Sequence, residues 1–97
     1  MIRAATEADM PAILRMSRAF YASTSYAAFA SYCEASAVKL AQYLLGEGVL
    51  LVAEQEEGVC GMTGLAVLPF MFNNAVTAAH EVVWWVDPSE RAQGIGR

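Results

Sequence analysis

The sequence predicts an α+β domain with the element order β-α-α-β-β-β. Three observations carry that reading. Apolar residues recur at helical spacing only in the first half of the chain, as in Met10, Ile13, Leu14, Ser17, Phe20 and Tyr21. The second half is broken into β-branched and aromatic runs separated by turn residues, and the last of these, Val82-Val83-Trp84-Trp85-Val86, is too short and bulky for a helix. Asp87-Pro88 then stops that run, and a glycine loop, Arg91-Ala92-Gln93-Gly94-Ile95-Gly96, follows it.

In chain order, Ile2–Ala5 reads as a short strand. Thr6-Glu7-Ala8-Asp9 opens a helix, with a hydroxyl at the N-cap and acids facing the positive end of the dipole. Pro11 sits where a missing N–H costs least, and the helix spans about residues 6–22. Ser23-Thr24-Ser25 breaks it, and residues 26–32 form a loop or a short helix. A second helix starts at Glu34 or Ser36 and runs to Leu45, with Val38, Ala41, Leu44 and Leu45 inward and Gly46 as its stop. Val49–Glu54 is a strand, Glu56-Glu57-Gly58 a hairpin turn that uses positive φ at Gly58, and Val59–Val67 the returning strand. Gly61 and Gly64 mark close approaches within it, and Pro69 ends it. Phe70-Met71-Phe72-Asn73-Asn74 reads as a loop, after which Thr77 or Ala78 begins the strand that ends at Val86.

Composition narrows the function. At 97 residues the chain is one small domain, and with 57% hydrophobic and 16% charged residues much of it must be covered. A net charge of −4 argues against a basic nucleic-acid surface. No apolar run reaches the roughly 18 residues of a membrane span, and Met-Ile-Arg-Ala-Ala-Thr-Glu lacks a basic stretch followed by an apolar one, so no signal peptide is expected. The expected partners therefore include neither nucleic acid nor membrane, and the expected location is cytoplasmic. Cys33 and Cys60 show no metal spacing, and both are expected reduced and mostly buried.

The stretch from His80 to Arg97 carries the chemistry. Two glycines one residue apart let successive N–H groups point the same way, a nest that holds phosphate at a helix start. A P-loop would need Gly-Lys-Ser/Thr, and a dinucleotide fingerprint a third glycine and a parallel βαβ unit.

Val86, Pro88, Arg91, Gly94 and Gly96, in the order strand-V-x-P-x-x-R-x-x-G-x-G, resemble the acetyl-CoA signature of the GNAT superfamily of N-acetyltransferases, whose pattern they match without gaps. The element order resembles the amino-terminal half of that fold, a mostly antiparallel sheet with helices packed on it. The resemblance implies one domain over residues 1–97 that is incomplete at its carboxy-terminal end, since in the family a helix and further strands follow the loop. It implies acetyl-CoA as co-substrate, its pyrophosphate held by the backbone of Ala92, Gln93, Gly94, Ile95 and Gly96 with Arg91 opening the loop and Arg97 adding charge. It implies a backbone N–H at Val86 or its neighbour polarising the thioester carbonyl. Glu81 is the favoured base and His80 the alternative. Without a bulge, strand alternation sets His80 beside Val82, Trp84 and Val86, and Glu81 beside Val83 and Trp85; a bulge swaps them. The family's tyrosine acid for the leaving thiolate lies beyond the loop, so none is assigned.

The acceptor, a small-molecule or peptide amine, is expected where helices meet sheet, lined by Tyr26 and Phe29 with Phe72 from the opposite loop, and with Tyr21, Tyr32 and Phe70 nearby. Phe70-Met71-Phe72 exposed together would mark a contact surface for a homodimer. Two rival readings stand beside the enzyme: a non-catalytic CoA-binding or protein-interaction module, and a structural α+β domain whose loop binds nothing.

Overall fold

Among the described residues, four strands pair in chain order, each neighbour antiparallel: β1 (Ile2–Ala4), β2 (Val49–Gln55), β3 (Gly58–Phe70) and β4 (Asn73–Val86). The computed structural model describes residues 1–91. The order follows from chain economy, because β2, β3 and β4 are joined by turns too short for any crossover. Gln55 faces Gly58 across the first turn, and Gly58 takes φ 120°, which an L side chain rarely adopts.

Two helices, α1 (Met10–Ala22) and α2 (Glu34–Gly46), cover one face of this sheet. The core is a single cluster in which Ile13 and Met16 of α1 and Ala41 and Leu44 of α2 meet Leu50, Val52, Met62 and Val83 of the strands. Met16 and Val52 are sealed almost completely. Burial of such side chains stabilises by about 1.5–3 kcal/mol each. Gly64 lies at the closest approach: a Cβ there would meet Leu44 Cδ1 and Val83 Cγ1, both at 2.9 Å, so a larger residue would push α2 off β3. Strand alternation sends Leu51, Thr63 and Trp84 to the opposite face, which neither α1 nor α2 covers.

The structure corrects several expectations. The first helix is not continuous over residues 6–22. Glu7–Asp9 forms a 3-10 turn and the α-helix starts at Met10. The Asp9 carboxylate folds back to accept the Thr6 backbone N–H at 2.8 Å, and this contact tightens the first turn. Residues 25–28 form a second 3-10 turn. Gly46 is the last residue of α2 rather than a left-handed stop beyond it. Pro69 does not end β3, which continues to Phe70. Its missing N–H costs nothing there, because β2 ends its pairing with β3 at Leu65 and leaves that edge open. The expected loop at Phe70–Asn74 shrinks to Met71-Phe72, and β4 begins at Asn73, not Thr77 or Ala78. Pro69 faces Thr77 while Phe70 faces Asn73, so a bulge absorbs the residues between, helped by Ala75 N donating to Asn73 Oδ1 at 3.1 Å. Cys60 is buried as expected, but Cys33 is exposed, since it stands at the N-cap of α2 outside the packed stripe.

Two polar clusters fasten the ends of the sheet. At the first, Arg3 donates to both Asp9 oxygens at 2.8 and 2.9 Å and to Glu54 at 3.0 Å, tying β1 to α1 and β2. The Arg3 guanidinium, then the Thr6 N–H, hold the Asp9 carboxyl down at about 2, against an ordinary value of 3.8. At the second, Asp87 joins four elements. Its N–H donates to Cys60 O at 2.8 Å, and its carbonyl accepts Glu90 N at 2.9 Å in the short α3 (Pro88–Arg91). Its carboxylate accepts Arg15 Nη1 and Nη2 at 3.1 Å each and Trp85 Nε1 at 2.9 Å. Burial pushes the Asp87 carboxyl up, but the bonds from Arg15 and Trp85 outweigh it and leave it below the usual carboxylate range.

Both clusters generate measurable expectations. A group whose folded pKa lies below its unfolded value stabilises the fold above the unfolded value and loses that contribution as pH falls. The Asp9 contribution is therefore complete above about 4 and drains between 3.8 and 2. Thermal melts across that window should show a drop in melting temperature for the parent chain that is smaller for Asp9→Asn. Asp87→Ala should destabilise by about 1–2 kcal/mol in urea titration, in the lower part of the range for charged hydrogen bonds because Arg15 is half exposed. The Trp85 emission should shift with it.

Candidate functional site

The site is built on the last third of β4. Val83 faces Gly64 and Glu81 faces Leu65, so Val82 has no partner and the strand bulges there. The bulge resolves the facing left open by sequence alternation. Glu81 falls on the same face as Trp84 and Val86, and the three line a hollow on the side away from α1 and α2. His80 faces Ala66, which shares the helix side of β3 with Met62 and Gly64, so the two candidate bases stand on opposite faces. Both are exposed.

Val86 is buried and pairs with Gly61. Its carbonyl accepts Arg91 Nε at 2.8 Å from the open side of β4, while the next N–H, that of Asp87, points inward to Cys60 O. In an extended strand the N–H and C=O of one residue point the same way, so the Val86 N–H also faces the open edge. Of the two main-chain donors named from the sequence, Val86 is the one directed outward and its neighbour Asp87 is engaged with β3. Arg91 folds back over this edge, its guanidinium carbon 4.8 Å from the centre of the Trp85 ring. The remaining loop positions, Ala92, Gln93, Gly94, Ile95, Gly96 and Arg97, lie outside the described residues.

A second cavity, of about 390 Å³, opens on the helix side between α1, α2 and β4. Val82 and Val83, the two residues at the bulge, form part of its wall. Tyr21, Tyr26, Tyr32, Phe20 and Leu40 stand in it beside core residues such as Ile13 and Leu44. Of the three predicted acceptor residues, only Tyr26 lies here. Phe29 is exposed and does not line the cavity, and Phe72 sits at the tip of the β3–β4 hairpin, its ring 5.9 Å from that of Phe70. The structure thus groups Tyr26 with the bulge and leaves Phe29 and Phe72 outside.

Four residues contribute here without a functional signal in the sequence. Trp84, half exposed in the hollow beside Glu81, reads there only as a strand residue in an apolar run. Arg15 and Asp87 meet across 72 positions of sequence, and no local pattern signals such a pair. Cys33 lines the helix-side cavity, where hydrogen bonds from the side chain and N–H of Ser36 lower its thiol below the ordinary value.

Known proteins share this arrangement. The model of the acetyltransferase (GNAT) family matches residues 12–97. Among curated proteins, none matches the chain. Among solved structures, a protein described as a possible acetyltransferase from Clostridium difficile 630 superposes with a TM-score of 0.78 at 18% identity, over 98% of this chain and 62% of its own. The aminoglycoside antibiotic 6'-N-acetyltransferase of Acinetobacter haemolyticus gives 0.72 at 18%, with 98% and 62% covered. A ribosomal-protein-alanine N-acetyltransferase from Brucella melitensis gives 0.69 at 26%, with 99% and 59% covered. The chain thus spans about three fifths of the length of these solved proteins. With 86 of its positions, 12 through 97, inside the family model and the sheet order and helix placement shared with these structures, the chain belongs to the GNAT family of acetyltransferases.

Proposed function

We propose that the chain carries the cofactor side of an N-acetyltransferase that moves an acetyl group from acetyl-CoA to a primary amine by direct attack in a ternary complex. The observation that carries this reading is the outward-facing main chain of Val86, at the open edge of β4 and five residues before the glycine loop begins at Arg91. Acetyl-CoA supplies an activated acyl carbon on a sulfur leaving group. The residues fit it: among those described, a strand edge left open for an extended arm and a main-chain donor at its end, and in the sequence beyond them two glycines spaced to form a phosphate nest.

Each step falls to a group of this chain. The Val86 N–H stabilises negative charge as it develops on the thioester oxygen, a preorganised donor that needs no side chain. Backbone N–H groups of Ala92–Gly96 bind the pyrophosphate, with Arg97 adding charge. Arg91 leaves the Val86 carbonyl as the edge fills, since both cannot bond that oxygen along one direction. The amine enters from the helix-side cavity, which shares the bulge at Val82 and Val83 with the strand edge. Its nitrogen forms the C–N bond as the C–S bond breaks, one amine proton goes to a base, and the sulfur leaves as thiolate. His80 stands on the face of that cavity and Glu81 on the other, so we assign the proton to His80, directly or through one water, and give Glu81 the hollow beside Trp84.

Two outcomes are expected. Acetyl-CoA should raise the melting temperature of the parent chain, because a ligand of the folded state alone stabilises it, and Gly94→Glu should cancel the shift by setting bulk and negative charge against the phosphates. A shift unchanged in Gly94→Glu would remove the loop from the cofactor site, and no shift in the parent would favour a domain that binds nothing. In thiol-release kinetics, His80→Gln should lower kcat by roughly 100-fold with acetyl-CoA affinity intact, the usual scale for losing a general base. Glu81→Gln should cost less; the reverse order would return the role to Glu81.

A further inference from the structure

Among the described residues, none that lines the helix-side cavity is Asp, Glu, Lys, Arg or His. Its polar groups are mostly spoken for: Tyr32 Oη and Ser17 Oγ share a hydrogen bond of 2.7 Å, and the single Tyr21 O–H lies within reach of the carbonyls of Tyr26 and Ala30. Ring faces and aliphatic carbon dominate what remains, with the Cys33 thiol and the Ser31 and Ser36 hydroxyls beside them. One ion pair lies beside the cavity. The Glu34 carboxylate, next to Cys33, lies 3.7 Å from Arg18 Nη2, and Arg18 in turn sits 4.5 Å above the Tyr32 ring.

We infer that this cavity takes the tail of an amine whose only positive charge is the amine to be acetylated, with an aromatic or branched aliphatic body, and that it rejects polyamines and aminoglycosides. This inference rests on the acetyl-transfer reading and names its acceptor class. A polycation would strip water from ammonium groups that find no carboxylate among the described lining residues, and the Glu34 carboxylate beside Cys33 already faces Arg18. An apolar body instead meets tyrosine rings and the Leu40 and Val82 side chains at no such cost. The same surroundings help the chemistry. An ammonium entering an apolar cavity is destabilised relative to its free base, so the amine arrives more readily deprotonated, the form that attacks.

The test uses phenethylamine and spermidine as probes, each titrated with and without saturating acetyl-CoA. The readouts are NMR shifts of the Tyr21, Tyr26 and Tyr32 rings and thiol release. Phenethylamine should move those rings and be bound or turned over at least tenfold better than spermidine. Tyr26→Ala, at an exposed position, should weaken phenethylamine without loss of fold, and Leu40→Glu, at another, should reverse the preference by giving ammonium a partner. Spermidine binding as tightly as phenethylamine, or phenethylamine shifts confined to residues outside the cavity, would overturn the inference. If acetyl-CoA binds and neither amine does, the acceptor assignment falls alone. If acetyl-CoA does not bind while phenethylamine still moves the tyrosines, the transfer reading falls and the cavity's ligand class stands.

Discussion

Asp87 is where the fold and the site become one problem. Its N–H is tied to Cys60 O on β3, its carboxylate to Arg15 on α1 and Trp85 on β4, and its carbonyl to Glu90 in α3. That set of bonds fixes where β4 stops and which way the chain leaves. Because Asp87 is turned inward, Val86 must be turned outward, and an N–H and C=O are delivered to the open edge. No single one of these bonds is strong, and Arg15 is too exposed for its ion pair to weigh much alone. Their effect is geometric: four elements agree on the position of one residue.

The bulge at Val82 divides the labour of the strand. Before it, β4 runs in plain register with β3 from Thr77 to Glu81; after it, Val83 and Trp85 turn their side chains to the core while Trp84 and Val86 face away. The extra residue brings two valines to the wall of the helix-side cavity and separates His80 from Glu81 by a full face of the sheet. It also adds local twist to the strand just before it reaches Val86. The Gly64 contact with Leu44 and Val83 holds α2 close at the same level, so cavity, bulge and edge lie in one layer of the molecule.

Much of this was legible in the sequence, for reasons that can be named. The two helices announce themselves by stripes that end in the buried Ile13, Met16, Ala41 and Leu44, and the Glu56-Glu57-Gly58 turn by a residue that must take positive φ. The strand ending at Val86 was marked by Pro88 and the glycine spacing. Elsewhere the local signal misled. Pro69 reads as a terminator only if both edges of its strand are paired, and one was open. Phe70–Asn74 looks like a loop because aromatics, asparagines and a preceding proline carry no alternation, yet strand pairing extends through most of it. For the site, composition could nominate aromatics but could not choose among them: Tyr26 reaches the cavity, Phe29 and Phe72 do not. The facing of His80 and Glu81 depended on one unpaired residue, a feature of pairing rather than of either strand's own sequence. The Arg15–Asp87 contact joins distant positions and leaves no trace in either neighbourhood.

The most direct test of this account is the backbone amide spectrum of the chain as acetyl-CoA is added. The account predicts that the Val86 amide moves strongly, together with the Arg91 side-chain Nε–H as it leaves the Val86 carbonyl, while the amide of Asp87, held by Cys60, moves little. A spectrum in which Val86 stays fixed and the changes fall on β1 or the hairpin tip would contradict it.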